Sequence, residues 1–283
     1  MQILPAKTLE GVRIIGGSTG LKPFIKWAGG KRWLLNDPSF GLPKFSGRYI
    51  EPFVGGGAIF FHLAPPDAIL SDVNERLIAT YRSIRDDWRL VQSSLAEFQE
   101  RHSKEFYYEE RGRQHSSPHL RAAQFLYLNR TCFNGLYREN LKGQFNVPLG
   151  TKTQIILPDD DFEKASEMLS RADLQVGDFE AVVAEAMEGD LVFLDPPYTT
   201  AHNCNGFVKY NQKIFTWDDQ KRLMEAIRNA IRRGARVVLT NADHESIHQL
   251  YGKLGAPIVV SRPSVISGSV NSRRETTETL FVF

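Results

Sequence analysis

Apolar and polar positions recur with different periods along the chain, and the periods mark out its elements. Arg48-Tyr49-Ile50-Glu51-Pro52-Phe53 reads as a short strand running into Gly55-Gly56-Gly57. Ala58-Ile59-Phe60-Phe61 then starts an apolar helix that Pro65-Pro66 ends. Ala68-Ile69-Leu70-Ser71-Asp72 is the next strand, and the order strand, loop, helix, strand opens a doubly wound sheet. Residues 75–100 and 119–129 read as helices, and residues 134–150 as loop. Asp190-Leu191-Val192-Phe193-Leu194 and Ala235-Arg236-Val237-Val238-Leu239-Thr240 read as buried strands. Between them lies a helix with Thr216 as N-cap and Gly234 as stop. The end of the chain, from Ile258, reads as two strands around a Gly268-Ser269 turn. Residues 1–20 read as a loose extension with a break at Gly16-Gly17. The sheet strands fall before residue 75 and after residue 170, so the stretch between them reads as a helical insert in an α/β domain.

Composition narrows the function. The 283 residues are 42% hydrophobic and 24% charged, which fits one large folded domain, or one domain with an insert. Cys132 and Cys204 are the only cysteines, too few for a disulfide framework or a Cys-based zinc site. No run approaches about 18 apolar residues, so a membrane span is not expected. The start of the chain lacks a basic segment followed by an apolar one, so a cytoplasmic, reducing location is expected. The net charge of +2 hides a local bias: residues 101–152 hold nine Lys or Arg against four acids, a local +5. Phe106, Tyr107, Tyr108, Phe125, Tyr127, Phe133, Tyr137 and Phe145 are interleaved with them. Cations for phosphate and flat rings for unstacked bases suit a nucleic-acid face. A solvated face over an ordinary aromatic core accounts for the same composition.

Four short patterns could carry chemistry. Glycines after a strand, in Pro52-Phe53-Val54-Gly55-Gly56-Gly57, let a ligand approach backbone N–H groups at a helix start. Asp72, at the end of the next strand, can hold both ribose hydroxyls of a nucleotide-like ligand, or simply cap the following helix. In Asp195-Pro196-Pro197-Tyr198 a carboxylate follows a buried strand, two prolines fix the backbone, and a ring closes the set. Such a group offers acceptors to an exocyclic amine and a ring to its base. Lys26-Trp27-Ala28-Gly29-Gly30-Lys31 is not a P-loop, because Ile25 and Arg32 stand where Gly and Ser or Thr are needed. His244-Glu245-Ser246-Ile247-His248 matches H-E-x-x-H, but no third ligand stands nearby, so zinc is not expected. His115 and His119 flank Pro118 and read as loop.

Taken together, these segments resemble the Dam-type, D12-class DNA adenine-N6 methyltransferases. The matching pieces are Pro23 through Lys31, Glu51 through Gly57, Leu70-Ser71-Asp72-Val73-Asn74, Tyr127 through Arg138, Gly143 through Pro148, and Asp195 through Tyr198. They stand in the family's order and cover most of residues 22–283. The resemblance implies an α/β, Rossmann-like S-adenosylmethionine-dependent methyltransferase sheet with an inserted, mainly helical target recognition domain. It places the catalytic domain at 22–74 and 166–283, the insert at 75–165, and an N-terminal extension at 1–21. It further implies that Trp27 and Lys31 contact the cofactor, that Phe53, Val54, Gly55 and Gly57 surround its methionine part, and that Asp72 holds its ribose. Asp178 and Phe179 would lie beside its adenine, and Asp195 would border it. Asp195, Pro196, Pro197 and Tyr198 would be catalytic, with the target adenine flipped onto Tyr198 and Phe133 filling the gap. Lys26, Arg130, Asn134, Tyr137, Arg138, Asn146, Pro148 and Lys152 would face double-stranded DNA, with Asn134 and Arg138 at base edges.

The implied site is GATC, the product S-adenosylhomocysteine, and no metal is called for. One departure bears on specificity. Leu149-Gly150-Thr151-Lys152 stands where members often carry Phe-Gly-x-Tyr. Rival readings are a related adenine site, amino-cytosine, RNA or protein amide methylation, a DNA-binding protein without turnover, and a zinc hydrolase. A monomer in the cytoplasm of a bacterial or phage-infected cell, with a restriction endonuclease acting separately, completes the expectation.

Overall fold

A computed structural model of the chain describes residues 20–37, 40–140, 143–201, 215–262 and 276–283. The expected break at Gly16-Gly17, Cys204 and the Gly268-Ser269 turn lie outside the described residues. Seven strands hydrogen-bond in the order β3-β2-β1-β4-β5-β7-β6, which makes a mixed α/β fold of the expected class. These are β1 (Tyr49–Glu51), β2 (Ala68–Asp72), β3 (Ala172–Val176), β4 (Leu191–Leu194), β5 (Arg236–Ala242), β6 (Ile258–Arg262) and β7 (Thr276–Val282). The chain divides into two compact units, one from the described residues of Asn36–Phe53 and Asp178–Phe283, the other from those of Gly16–Leu35 and Val54–Gly177.

In the first unit, β1 pairs parallel with β4, and β4 parallel with β5 in a register that sets Leu194 beside Leu239. β7 runs antiparallel to β5 and β6, setting Glu278 beside Ala242. Every residue of β4 is buried, as its unbroken apolar run requires of a strand covered on both faces. Helices α6 (Phe179–Ala184), α7 (Trp217–Arg232) and α8 (Glu245–Tyr251) complete this unit. The expected cap of α7 is present as a capping box, Thr216 and Asp219 each satisfying the other's backbone N–H. Gly234, just past its end, has φ +91°. His244 is the N-cap of α8 and accepts from the Ser246 N–H, while His248 pairs with Asp243 and Thr279. Among the described residues, no group of three or more His, Cys, Asp or Glu is placed to hold a metal ion. No described helix is long and apolar enough to cross a membrane.

The second unit pairs β2 parallel with β3, Asp72 opposite Val176, beneath α2. Its helices are α1 (Ala58–Leu63), α2 (Glu75–Arg101), α3 (Lys104–Gly112), α4 (Pro118–Thr131) and α5 (Phe162–Leu169). The long helix is interrupted at Asp87, whose φ of −156° is not helical. Helix α3 escaped the sequence reading, because its aromatic residues are spread among charges. Ser103 nonetheless caps it by accepting from the Phe106 N–H. In α4 every residue from Ala122 to Thr131 is buried, so it is the hub against which α2 and α3 pack. Phe106, Tyr107, Phe125, Tyr127 and Phe145 are core residues, whereas Tyr108 and Phe133 are 41% and 53% exposed. Most rings of the basic-aromatic stretch therefore build its interior, and few are offered to solvent.

Candidate active site

In the first unit, β1 and β4 are parallel neighbours, and Phe53 and Asp195 stand just beyond their carboxyl ends. The strand order reverses between these two strands, and ligand sites in open α/β sheets form there. Phe53 stacks on Phe179 at 5.4 Å and 28°, and Phe215 packs edge-on against Phe53 at 5.7 Å. Asp178 is exposed, caps α6 through the Glu180 N–H, and pairs with Arg222 at 2.8 Å. Asp195 is half-buried, as are Pro197 and Tyr198, and Pro196 is buried.

Neighbouring strands hold the two polar ends of the Asp-Pro-Pro-Tyr segment. The Thr240 hydroxyl lies 2.7 Å from Asp195 Oδ1 and donates to it. The Tyr198 hydroxyl donates to Glu278 Oε2 at 2.6 Å. Burial, with the Asp195 and Glu278 carboxylates nearby, holds the Tyr198 phenol well above its ordinary range, so it stays protonated. Tyr49 donates to Glu51 at 3.0 Å, and burial with the Glu51 charge suppresses its ionisation also. Thr240, Glu278, Tyr49 and Glu51 were not singled out in the sequence as site residues. Thr240 and Glu278 are brought to Asp195 and Tyr198 only by strand pairing.

In the second unit the Gly-rich turn is clamped from three directions. The Gly55 N–H donates to Asp72 Oδ2 at 3.2 Å, its carbonyl accepts from the Tyr81 hydroxyl at 2.7 Å, and Trp27 lies against its α-carbon. A Cβ there would stand 2.6 Å from the Trp27 ring, and φ is +45°, so only glycine fits. Gly57, at φ +66°, is the N-cap of α1, and Val54 is buried. The other oxygen of Asp72 accepts from the Asn74 N–H at 2.9 Å. Burial outweighs these donors and pushes the Asp72 carboxyl up to about 6. Lys31 is buried, with its ammonium donating to the Gly29 carbonyl at 2.7 Å.

The same unit presents the expected recognition segment as an irregular hairpin. Bridges pair Cys132 with Leu149 and Glu139 with Phe145. A single 3-10 turn, Phe133–Gly135, carries Asn134 at φ +57° at its tip. Phe133 is 53% exposed and Leu136 39%. Asn134, Arg138, Pro148 and Lys152 are exposed, and Asn146 holds the Arg138 Nε at 2.9 Å. Lys26 is exposed and donates to the Asn134 carbonyl. Partial burial, with Lys152 adding to it, lowers the Lys26 ammonium from its usual range. Its backbone is locked by Asn129, whose amide accepts from Lys26 N and donates to Lys26 O.

Two residues expected at DNA are placed otherwise. Arg130 is buried: its guanidinium pairs with Asp160 at 2.6 and 2.7 Å and donates to the Ile155 and Phe24 carbonyls. It is a tie inside the unit, because its position near the end of α4 turns it inward. Tyr137 is half-buried and stacks on Trp27 at 5.5 Å and 26°, with Phe125 at 5.0 Å. Trp27 therefore touches both the Gly55 turn and this hairpin.

A family model described as D12 class N6 adenine-specific DNA methyltransferase matches residues 27–263. A type II methyltransferase of Lactococcus lactis subsp. cremoris is 38% identical over 240 residues, covering 82% of this chain and 84% of the relative. The DNA adenine methylase of Escherichia coli strain K12 is 33% identical over 268 residues, covering 93% and 95%. A DNA N-6-adenine-methyltransferase of Escherichia phage P1 is 39% identical over 238 residues, covering 83% of this chain but 31% of its own length.

Proposed function

Because the chain belongs to the D12 class N6 adenine-specific DNA methyltransferases, and so methylates adenine in DNA, we propose how it does so. It takes the methyl group of S-adenosylmethionine, flips the target adenine out of double-stranded DNA, and acts within GATC. The observation that carries this reading is Asp195, set beyond β4 with one oxygen held by Thr240 and followed by two prolines and a tyrosine.

The residues present fit the cofactor. At Gly55 a Cβ would collide with the Trp27 ring, so the turn keeps a bare backbone whose N–H is held by Asp72. Burial raises the Asp72 carboxyl, and the two hydroxyls of a ribose would add donors to its ionised form. S-adenosylmethionine supplies an electrophilic sulfonium methyl, so the chemistry calls for no metal. Trp27, Lys31, Phe53, Val54, Gly55, Gly57, Asp72, Asp178 and Phe179 are assigned to the cofactor.

The amine of adenine is a poor nucleophile because its lone pair is delocalised into the ring. The Asp195 carboxylate and the Pro196 carbonyl accept its two N–H groups. This favours a pyramidal nitrogen whose lone pair is available for in-line attack. Positioning and fixed dipoles supply the acceleration. The target atom is inaccessible inside a duplex, so the base is extruded; Tyr198 stacks on it and exposed Phe133 enters the gap. Asn134 and Arg138 read base edges, and Lys26, Asn146, Pro148 and Lys152 line the DNA. Residues 22–74 and 166–283 form the catalytic domain and 75–165 the recognition domain of a monomer, and a restriction endonuclease, where present, acts separately.

The test is incorporation from tritiated S-adenosylmethionine into unmethylated plasmid in EDTA, with N6-methyladenine mapped by single-molecule sequencing. Methylation confined to GATC is expected. Another short motif would overturn the specificity and trace it to Leu149 through Lys152; loss of activity in EDTA would overturn the metal-free mechanism.

A further inference from the structure

Two buried polar groups outside the Asp-Pro-Pro-Tyr segment converge on it in the first unit. The Thr240 hydroxyl has one proton and two acceptors within reach: Asp195 Oδ1 at 2.7 Å and the Leu194 carbonyl at 3.3 Å. The shorter contact, to a charged oxygen, takes the proton. Thr240 is 3% exposed and sits in the middle of β5, so its rotamer is set by the sheet rather than by solvent. Glu278, also 3% exposed, lies on β7 next to β5 and accepts from the Tyr198 hydroxyl. Asn241, the residue after Thr240, belongs to a separate network, donating to the side-chain Oε1 of Gln220, which also accepts from the Tyr251 hydroxyl.

Directionality gives the network its meaning. A carboxylate that must accept from an amine needs one oxygen aimed at it, and rotation about the side chain scrambles that aim. Pinning Oδ1 from β5 leaves Oδ2 in a defined direction. Pinning the phenol from β7 fixes the plane of the ring on which a base stacks. Both anchors stand on strands of the sheet, which hold a site more rigidly than a loop does.

We propose that Thr240 and Glu278 are positioning residues for methyl transfer, Thr240 orienting the Asp195 carboxylate and Glu278 the Tyr198 ring. The inference rests on the reading of Asp195 as acceptor of the target amine. It assigns neither residue a contact with DNA or cofactor, so their loss lowers the rate of the chemical step and leaves both affinities in place.

The experiment is single-turnover methylation of a duplex, alongside DNA and S-adenosylhomocysteine dissociation constants and melting temperature. Thr240→Val, an isostere without the hydroxyl, is expected to slow the step roughly 10- to 150-fold, the rate equivalent of a hydrogen bond to a charged group. Both dissociation constants should stay within about twofold, taken as measurement scatter, and Thr240→Ser should restore most of the rate. Glu278→Gln keeps an acceptor for Tyr198 and should stay near the wild-type rate, while Glu278→Met should fall roughly 10- to 150-fold, again the equivalent of a hydrogen bond to a charged group. This second pair decides the matter if Thr240→Val does not fold. Asp195→Ala separates the two levels of argument. If it is inactive while Thr240→Val and Glu278→Met turn over normally, the positioning role is overturned and the Asp195 reading stands. If Thr240→Ser is as slow as Thr240→Val, or affinity falls in step with rate, the residue serves packing alone and the proposal is overturned. Turnover by Asp195→Ala overturns both.

Discussion

Cofactor affinity should depend on pH through Asp72. Burial raises this carboxyl from 3.8 to about 6, against the pull of the Gly55 and Asn74 N–H groups. If the ribose hydroxyls donate to the ionised form, binding requires that form. At pH 7 an acid with a pKa near 6 is mostly ionised, and at pH 5 it is mostly protonated. The ionised fraction, and with it the affinity, should fall about tenfold between the two. The stability of the unliganded fold should move the opposite way. Folding raises this pKa, so the folded protein holds a proton that the unfolded chain has lost. The stability tied to Asp72 is full below pH 4 and is lost as pH rises through 6, on the order of 3 kcal/mol in all. Calorimetric titration with S-adenosylhomocysteine from pH 5 to pH 7 measures the first effect, and urea melts over pH 4 to 7, relative to Asp72→Asn, the second. In Asp72→Asn the affinity should be weaker and flat with pH. A wild-type affinity that does not change over this range, or an equal change in Asp72→Asn, would remove Asp72 from ribose binding.

Three other outcomes are expected. Arg130→Met leaves Asp160 as an unpaired, nearly dry carboxylate, so it should cost about 3–5 kcal/mol in urea denaturation; unchanged stability with a shallower salt dependence of DNA binding would return Arg130 to the DNA. Phe133→Ala should leave the melting temperature unchanged, because the ring is 53% exposed, yet reduce the fluorescence rise of 2-aminopurine at the target base; a full rise would put base extrusion on other residues. Arg138→Ala should lose about 1–3 kcal/mol of discrimination between the cognate site and single-base variants, and equal weakening on every sequence would make it a phosphate contact.

What could be read along the chain was whatever its local chemistry decides. The turn after β1 carries glycine at positions 55 and 57, where φ is positive and a side chain would be strained. An unbroken apolar run such as β4 suits only a strand buried on both faces, and a carboxylate following it suits a site. Thr216 and Asp219 announce the start of α7 within four residues. The helices that escaped are those whose apolar residues are diluted by charge, such as α3, where a short amphipathic pattern sits inside a basic stretch.

What only the tertiary structure decided is which way ambiguous side chains face and which distant ones meet. Arg130 and Arg138 are the same residue type eight positions apart, and composition gives both to DNA. One ends a helix buried on all sides and finds Asp160, while the other stands on a hairpin and stays exposed. Tyr137 likewise could face solvent or core, and the ring of Trp27, distant in sequence, settles it. Thr240 and Glu278 lie 45 and 80 residues from the side chains they hold, and carry no motif of their own. A short-range pattern is dictated by backbone sterics and the solvation of a few neighbours. The partner of a buried polar group is dictated by whichever donor or acceptor the sheet brings within about 3 Å, and a linear pattern does not contain that distance.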